Sequence, residues 1–590
     1  MTCVRVWAPE VRRVELECAG QRRPMAREAD GWWFVEAPEL VHGTDYAFRI
    51  DEEGPFPDPR SPWQPHGVHG PSRWLDHGRF RWHDTGWQAP PLASAMIYEL
   101  HVGTFTPEGI FEAVIDRLDY LKDLGITHVE LMPVAEFPGK RGWGYDGVDL
   151  FAPHHAYGGP DGLKRLVDAC HRKGLAVLLD VVYNHLGPSG NYLGRFGPYF
   201  TDAYRTPWGD AVNLDRAHSD TVRRFFLDNA LMWLEEYHFD GLRIDAVHAI
   251  VDTSAIHFLE ALAREVRALE ARLGRHLVVI AESDLNDPRV VRAPEVGGYG
   301  LDAQWNEDFH HALHAVLTGE RDGYYEDFGA VADLAAALTR GLVYDGRYSV
   351  YRRRSHGRPA SDLRGRRFVG CLQNHDQVGN RAMGERSAQL LSAGLLRVGA
   401  ALVLTAPFVP LLFQGEEWGA DTLFLYFTDH EDPDLAEAVR EGRRREFAAF
   451  GWDPEGIPDP QAPATFERSR LDWDQRDREP HAGLLRWYRD LIALRRAHPA
   501  FAEDGLEQVR VRFDESERWL MMRRKELAVA CNLGTSQRRL DCPAGCHPRI
   551  LLASDPGVAV TRETIHLPAE TVAILELVSS AIPPCGREEM

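Results

Sequence analysis

The chain has 590 residues, 44% of them apolar, with 89 acidic against 67 basic side chains and a net charge of −22. That length allows several domains and a large core. The acidic balance argues against nucleic acid or an anionic membrane as partner, since both need a basic surface. No run of about 18 apolar residues appears, so no membrane span is expected.

The N-terminus lacks the basic-then-apolar order of a secretory leader, and the eight scattered cysteines suit a reducing cytoplasm better than a disulfide scaffold. Residues 1–90 read as short strands (4–7, 14–17, 32–35 and 46–50) separated by turns, which predicts a small N-terminal β-sandwich. Residues 88–91, Gln-Ala-Pro-Pro, form a stiff linker. From 91 to 500, strand and helix patterns alternate, the signature of parallel strands with crossover helices. Strands are expected at 96–100, 127–132, 176–181, 242–245, 277–281, 301–305, 368–372 and 408–413. Eight such units predict an α/β fold, a (β/α)8 barrel. Residues 186–217, rich in Gly, Pro and aromatics, interrupt it after the third strand. Residues 501–580 return to β character and predict a C-terminal β-sandwich. The tail, 581–590, is expected to be disordered.

Four of the apolar runs end in charged or imidazole groups: Asp180 to His185, Gly241 to His248, Ile280 to Asp284 and Gln373 to Gln377. A buried barrel strand delivers polar groups to one rim in this way. Three carboxylates result on three different strands, Asp245, Glu282 and Asp376. Glycoside hydrolysis needs two carboxyl groups with different roles, one protonating the leaving oxygen and one supporting the anomeric carbon. Arg243 lies two residues before Asp245, so both side chains point to one side of the strand, where the fixed charge would keep Asp245 ionised. Asp180 and Arg243 read equally well as a structural ion pair or as substrate contacts.

Metal sites are not expected. Cys542 and Cys546 are loosely spaced and no second pair follows. His310, His311 and His314 have no Glu between them as in metalloprotease helices, so a solvated helix start near the rim is the expectation.

The four segments, in that order, resemble the four signature regions of the α-amylase clan of retaining glycoside hydrolases. The resemblance implies that Asp245 is the nucleophile, Glu282 the proton donor and later base, and Asp376 a group that binds sugar hydroxyls. His185 and His375 would bond the hydroxyls of the sugar being cleaved, and Asp180 would organise the site. The cluster Gly142-Trp-Gly-Tyr-Asp-Gly147 should follow strand two, with Tyr145 stacking under the reacting sugar and Asp146 bonding nearby. Trp143 is either a further platform or packing. Asn184 is retained, but no carboxylate set surrounds it, so calcium is not expected.

Within the clan, the segments 98–107, 136–138, 206–210, 305–311, 415–418 and 424–430 resemble the maltooligosyltrehalose trehalohydrolase family. That implies hydrolysis of the α-1,4 bond next to a terminal trehalose, with maltooligosyltrehalose and other α-glucan oligosaccharides as ligands. It also implies a maltooligosyltrehalose synthase as functional partner; no cofactor, a cytoplasmic location and a monomer are expected beside it. Candidates for reading the trehalose end are Glu307, Asp308 and His311 after strand six, with Trp208 and Asp210 from the inserted loop. The alternatives are a glucan branching enzyme or other transferase, and a non-catalytic glycan-binding protein on the same scaffold.

Overall fold

The computed structural model describes residues 2–448, 456–543 and 545–579; the expected tail lies outside them. Eight parallel strands close into a barrel: β1 (Ile97–Leu100), β2 (His128–Leu131), β3 (Ala176–Val181), β4 (Gly241–Ile244), β5 (Val278–Ala281), β6 (Ala303–Trp305), β7 (Phe368–Cys371) and β8 (Val409–Phe413). Each pairs with the next, and β8 closes on β1 through Leu411 opposite Ile97. All eight fall where the sequence placed them.

Alternation along each strand explains both the core and the site. Side chains two apart share a face. Ile97, Leu178, Val278, Ile280, Ala303, Val369, Val409 and Leu411 form one buried cluster. Two residues beyond them in the same parity stand Glu99, Asp180 and Glu282. Branched residues therefore fill the barrel's lower layers, and on β1, β3 and β5 the next inward position is a carboxylate at the C-terminal rim.

The crossover helices Gly159–Lys173 and Phe258–Leu273 bury apolar stripes against the barrel. The first ends at Gly174, whose φ of 75° lets the backbone turn back into β3.

Antiparallel sheets flank the barrel. On the N-terminal side, Val14–Cys18 and Asp45–Ile50 are the central strands of one sheet and Trp32–Glu36 is central in another. On the C-terminal side a five-stranded sheet begins at Val509 and faces a three-stranded one. The interruption after β3 contains a short helix, Leu193–Phe196, and a ribbon, Phe200–Thr206 with Gly209–Val212. A second excursion, between β6 and β7, was not separated out from the sequence. It holds helices Glu307–Thr318 and Val331–Arg340 and a hairpin, Asp345–Ser349 with Arg354–Gly357.

Candidate active site

Local backbone features aim each functional group. Asn374 caps a short helix, accepting from the Gln377 N–H at 2.9 Å, and so sets His375 and Asp376 in its first turn. Asn306 caps the helix after β6 in the same way, accepting from Phe309 and donating to the Gly341 carbonyl at 2.8 Å. Ala246, directly after Asp245, has φ of 39°. A non-glycine residue pays about 1 kcal/mol or more for that conformation. In return its N–H reaches Glu282 Oε2 at 2.6 Å.

Arg243 is the centre of the site and is fully buried. Its Nη1 donates to both oxygens of Asp180 at 2.9 Å and to Asp245 Oδ1 at 2.8 Å. Its Nη2 lies 3.5 Å from Glu282 and 3.9 Å from Asp376, beyond hydrogen-bond reach of the latter. The guanidinium lies over the Trp305 ring at 4.2 Å. Asp245 and Glu282 thus meet the two ends of one cation. Asn184, which the sequence reading set aside, donates to Asp245 Oδ2 at 2.7 Å. Its position one residue before His185 was the available signal.

Burial pushes the Glu282 carboxyl up to about 8, against the pull of Arg243 and with help from Asp245 and Asp376. Burial likewise raises Asp180 to about 6 despite Arg243. Glu130 on β2 is driven well above the carboxylate range by burial and by Glu99 and Asp180, so it adds no charge. His375 goes the other way. Burial opposes its charge, but Asp376 and Glu99 overcome this and hold it near 9; Glu99 lies 2.5 Å from its Nδ1.

Tyr145 bonds Asp180 at 2.5 Å and His375 Nε2 at 2.7 Å. The structure therefore brings together Asp180, Arg243, Asp245, Glu282, His375, Asp376 and Tyr145. His185 joins through its neighbour Asn184 and stacks on Trp208 at 4.4 Å, with the rings 6° apart. Asp146 lies 3.8 Å from His430 at the edge of the same loop. Trp143 packs behind the site: its indole N–H bonds the Leu425 carbonyl and its ring stacks on Phe424.

A cavity of about 480 Å³ opens beside this cluster, lined by Glu282 and Asp376 but not by Asp245. Glu307 and His311 line it as well. Asp308 does not. It is buried and accepts from the N–H groups of Val343 and Tyr344 at 2.6 and 2.8 Å, which anchors the β6–β7 excursion. Asp210 also lies apart, paired with Arg205 on the exposed ribbon. His310, His311 and His314 are buried rather than solvated, because the excursion folds Tyr324 and Tyr325 over them. The excursion supplies cavity groups that sequence reasoning missed, namely Tyr324, Tyr351 and the ion-paired Arg352, and the segment after β7 adds a second ion-paired arginine, Arg381. Arg352 holds Asp284 at 2.8 Å, and Arg381 holds Glu320 at 2.9 Å.

A family model described as "Alpha amylase, catalytic domain" matches residues 79–204, and one described as "Domain of unknown function (DUF3459)" matches 504–574. The closed barrel and the first of these matches are those of an α-amylase-type catalytic domain. A protein of Arthrobacter ramosus named Malto-oligosyltrehalose trehalohydrolase is 54% identical over 506 residues, 84% of this chain and 87% of its own. One of the same name from Rhizobium sp. (strain M-11) is 48% identical over 97% of both chains. A solved structure described as a putative alpha amylase from Salmonella typhimurium superposes with a TM-score of 0.90. It is 39% identical and covers 98% of this chain and 97% of its own. The chain belongs to the malto-oligosyltrehalose trehalohydrolase family.

Proposed function

We propose that the enzyme hydrolyses the α-1,4-glucosidic bond joining a maltooligosaccharide to a terminal trehalose, and does so with retention. The observation that carries this reading is the cavity on the Glu282 side of the cluster. The acid must face the leaving oxygen, so the space that contains Glu282 without Asp245 is where the departing sugar sits. Its volume is of the order that encloses a small molecule.

In the first step Asp245 attacks the anomeric carbon as its carboxylate, oriented by Arg243 and Asn184. Glu282, kept protonated by burial, gives its proton to the leaving oxygen. A glycosyl ester on Asp245 results and trehalose departs. Glu282, now ionised, takes a proton from water as the water attacks the anomeric carbon, the bond to Asp245 breaks and its carboxylate is released. Asp376, with the most open of the three carboxylates, binds sugar hydroxyls, as do His185 and His375. Tyr145 stacks against the reacting ring, and Asp180 holds Arg243 and Tyr145 in register.

Among the described residues no helix is long and apolar enough to cross a membrane, and the cysteines are unpaired thiols. The free thiols fit a reducing compartment; a cytoplasmic location, a monomeric state and a maltooligosyltrehalose synthase that supplies the substrate are part of the proposal. The test is incubation with maltooligosyltrehalose, a maltooligosaccharide of equal length, and amylose. Free trehalose from the first substrate at much the highest kcat/KM is expected. Chain transfer with no free trehalose would replace this reading with a branching or transferase activity.

A further inference from the structure

The loop that carries Trp143, Tyr145 and Asp146 springs from a two-stranded ribbon whose base has its own chemistry. Glu136 ends the first strand, Ala135–Glu136, and Asp149 begins the second, Asp149–Pro153. The two stand opposite each other in register, so their side chains leave the ribbon on one face. His154 and His155 follow directly. Glu136, His154 and His155 each bring a ligand atom within 4.8 Å of the others. Glu136 Oε1 lies 2.6 Å from His155 Nδ1 and 3.3 Å from His154 Nδ1.

His154 is the decisive residue. It is fully buried, at 0% exposure; its Nε2 has no hydrogen-bond partner, and its Nδ1 faces Glu136 Oε1 at 3.3 Å without the geometry of a hydrogen bond. Asp149 Oδ2, also buried, has none. Unmatched buried polar atoms are costly and rare, and here two belong to one ring of the cluster and a third to the residue opposite Glu136 in the ribbon. Phe137 stacks on the His154 ring at 3.7 Å and fixes its plane. His155 is 23% exposed at its side chain, which leaves a path from solvent.

We propose that Glu136, His154 and His155 form a structural site for a divalent transition-metal ion, with zinc the best match to two imidazoles and a carboxylate. Zinc takes these donors in tetrahedral sites with a further ligand completing the shell. Water through the His155 opening or a carboxylate oxygen of Asp149 has the right chemistry for that place. Glu136 precedes the Tyr145 loop and His154 follows it, so an ion here ties the loop's two ends together. It touches none of the reacting carboxylates and is separate from the hydrolytic chemistry.

The test uses the full chain, stripped with a chelator, incubated with zinc chloride and freed of excess by gel filtration. Elemental analysis is expected to find about one zinc per chain, and cobalt in its place to give the visible absorption of a tetrahedral site. Zinc should also raise the Tm. His155→Ala, at a partly exposed position, and Glu136→Gln should each lose the metal and the Tm rise. Loss of a ligand should cost more than the about 10–100-fold that loss of an outer hydrogen-bond partner costs. A Cys542→Ser, Cys546→Ser double variant should keep the metal. Wild-type chain that retains no zinc, or His155→Ala and Glu136→Gln that retain it as wild type does, overturns the proposal.

Discussion

Strand β4 carries an aspartate at each end, and the two ends of the barrel use them differently. Asp240, just before the strand, is 1% exposed and matched by three donors: Trp87 at 2.8 Å, the Val177 N–H at 2.9 Å and His171 at 3.0 Å. His171 bridges it to Asp84, which also holds His238 at 2.7 Å. The strap 77–88 is clamped to the barrel floor this way, with Trp82 and Trp87 stacked on His238 and His171. Asp245, just after the strand, belongs to a group of four carboxylates around one guanidinium, two nitrogens of which have no hydrogen-bond partner. Each cluster places a cation between two aspartates. At the floor every charge is matched, and Asp84 and Asp240 are held below the usual range against their burial. At the rim burial wins, and Asp180 and Glu282 are pushed up. A saturated cluster stabilises the fold, whereas an undersupplied one leaves a proton and a nucleophile available for chemistry.

Breaking the rim should therefore cost rate, and the largest loss is expected from Asp245→Ala. With no carboxylate to form the ester, kcat should fall about 10⁴-fold or more while substrate still binds. Turnover near wild type would remove Asp245 from the mechanism. Glu282→Gln comes next, at about 10²–10⁴-fold for the natural substrate, the usual worth of a general acid. A substrate with an acidic leaving group needs no proton and should be hurt less; equal damage to both would give Glu282 another role. In the wild type, activity should decline as pH rises through about 8, where Glu282 loses its proton. A rate that stays flat to pH 10 would contradict this.

Breaking the floor should cost stability. His171→Ala leaves Asp84 and Asp240 buried without their shared cation, which should lower unfolding free energy by about 3–5 kcal/mol. Activity per folded molecule should be unchanged. The pH dependence follows from the shift directions. His171 is raised by Asp240 and Asp84 despite burial, so its contribution is full below about 6.5 and is lost as pH rises through its folded value. The two aspartates are lowered, so theirs is present above about 4 and lost as pH falls. The wild-type advantage over His171→Ala should peak between those limits in urea melts at several pH values. An advantage that grows toward pH 9 would sink the account.

The rim was legible because strand parity and run endings are local patterns: Arg243, Asp245 and Glu282 follow from them, whereas Asp376, expected on a strand, stands in the first turn of the short helix after β7. The floor was not. Asp84 and Asp240 are 156 residues apart in sequence, and nothing in the residues 80–88 signals that two tryptophans and two aspartate–histidine pairs meet there. The β6–β7 excursion was missed for a similar reason. Its hairpin is short and polar, and Arg352 and Tyr351 reach the cavity through tertiary folding alone. Asp308 misled because a first-turn carboxylate beside Glu307 looks equally exposed. Helical geometry turns neighbours about 100° apart, and that rotation sends one toward the cavity and the other into backbone amides.

That pair gives the finest version of the comparison, since Glu307 and Asp308 adjoin yet belong to the two regimes. Glu307 lines the cavity and is pushed well above the carboxylate range by burial and by Glu282, Asp284 and Asp376. It makes none of the matched contacts of a structural carboxylate. Glu307→Ala should remove a partner for a hydroxyl of the departing sugar, worth about 1.5–3 kcal/mol or roughly tenfold to a hundredfold in kcat/KM. The loss should be larger for maltooligosyltrehalose than for a maltooligosaccharide of equal length, with the melting temperature little changed. Asp308 accepts two buried backbone amides, so Asp308→Ala should instead cost about 1–3 kcal/mol of stability by leaving both unmatched. Any loss of activity there should fall on both substrates alike, because the whole excursion loosens. If Glu307→Ala also slows both substrates in equal proportion, the leaving sugar is read elsewhere, and the excursion's aromatic and ion-paired groups around Tyr351 and Arg352 become the residues to vary.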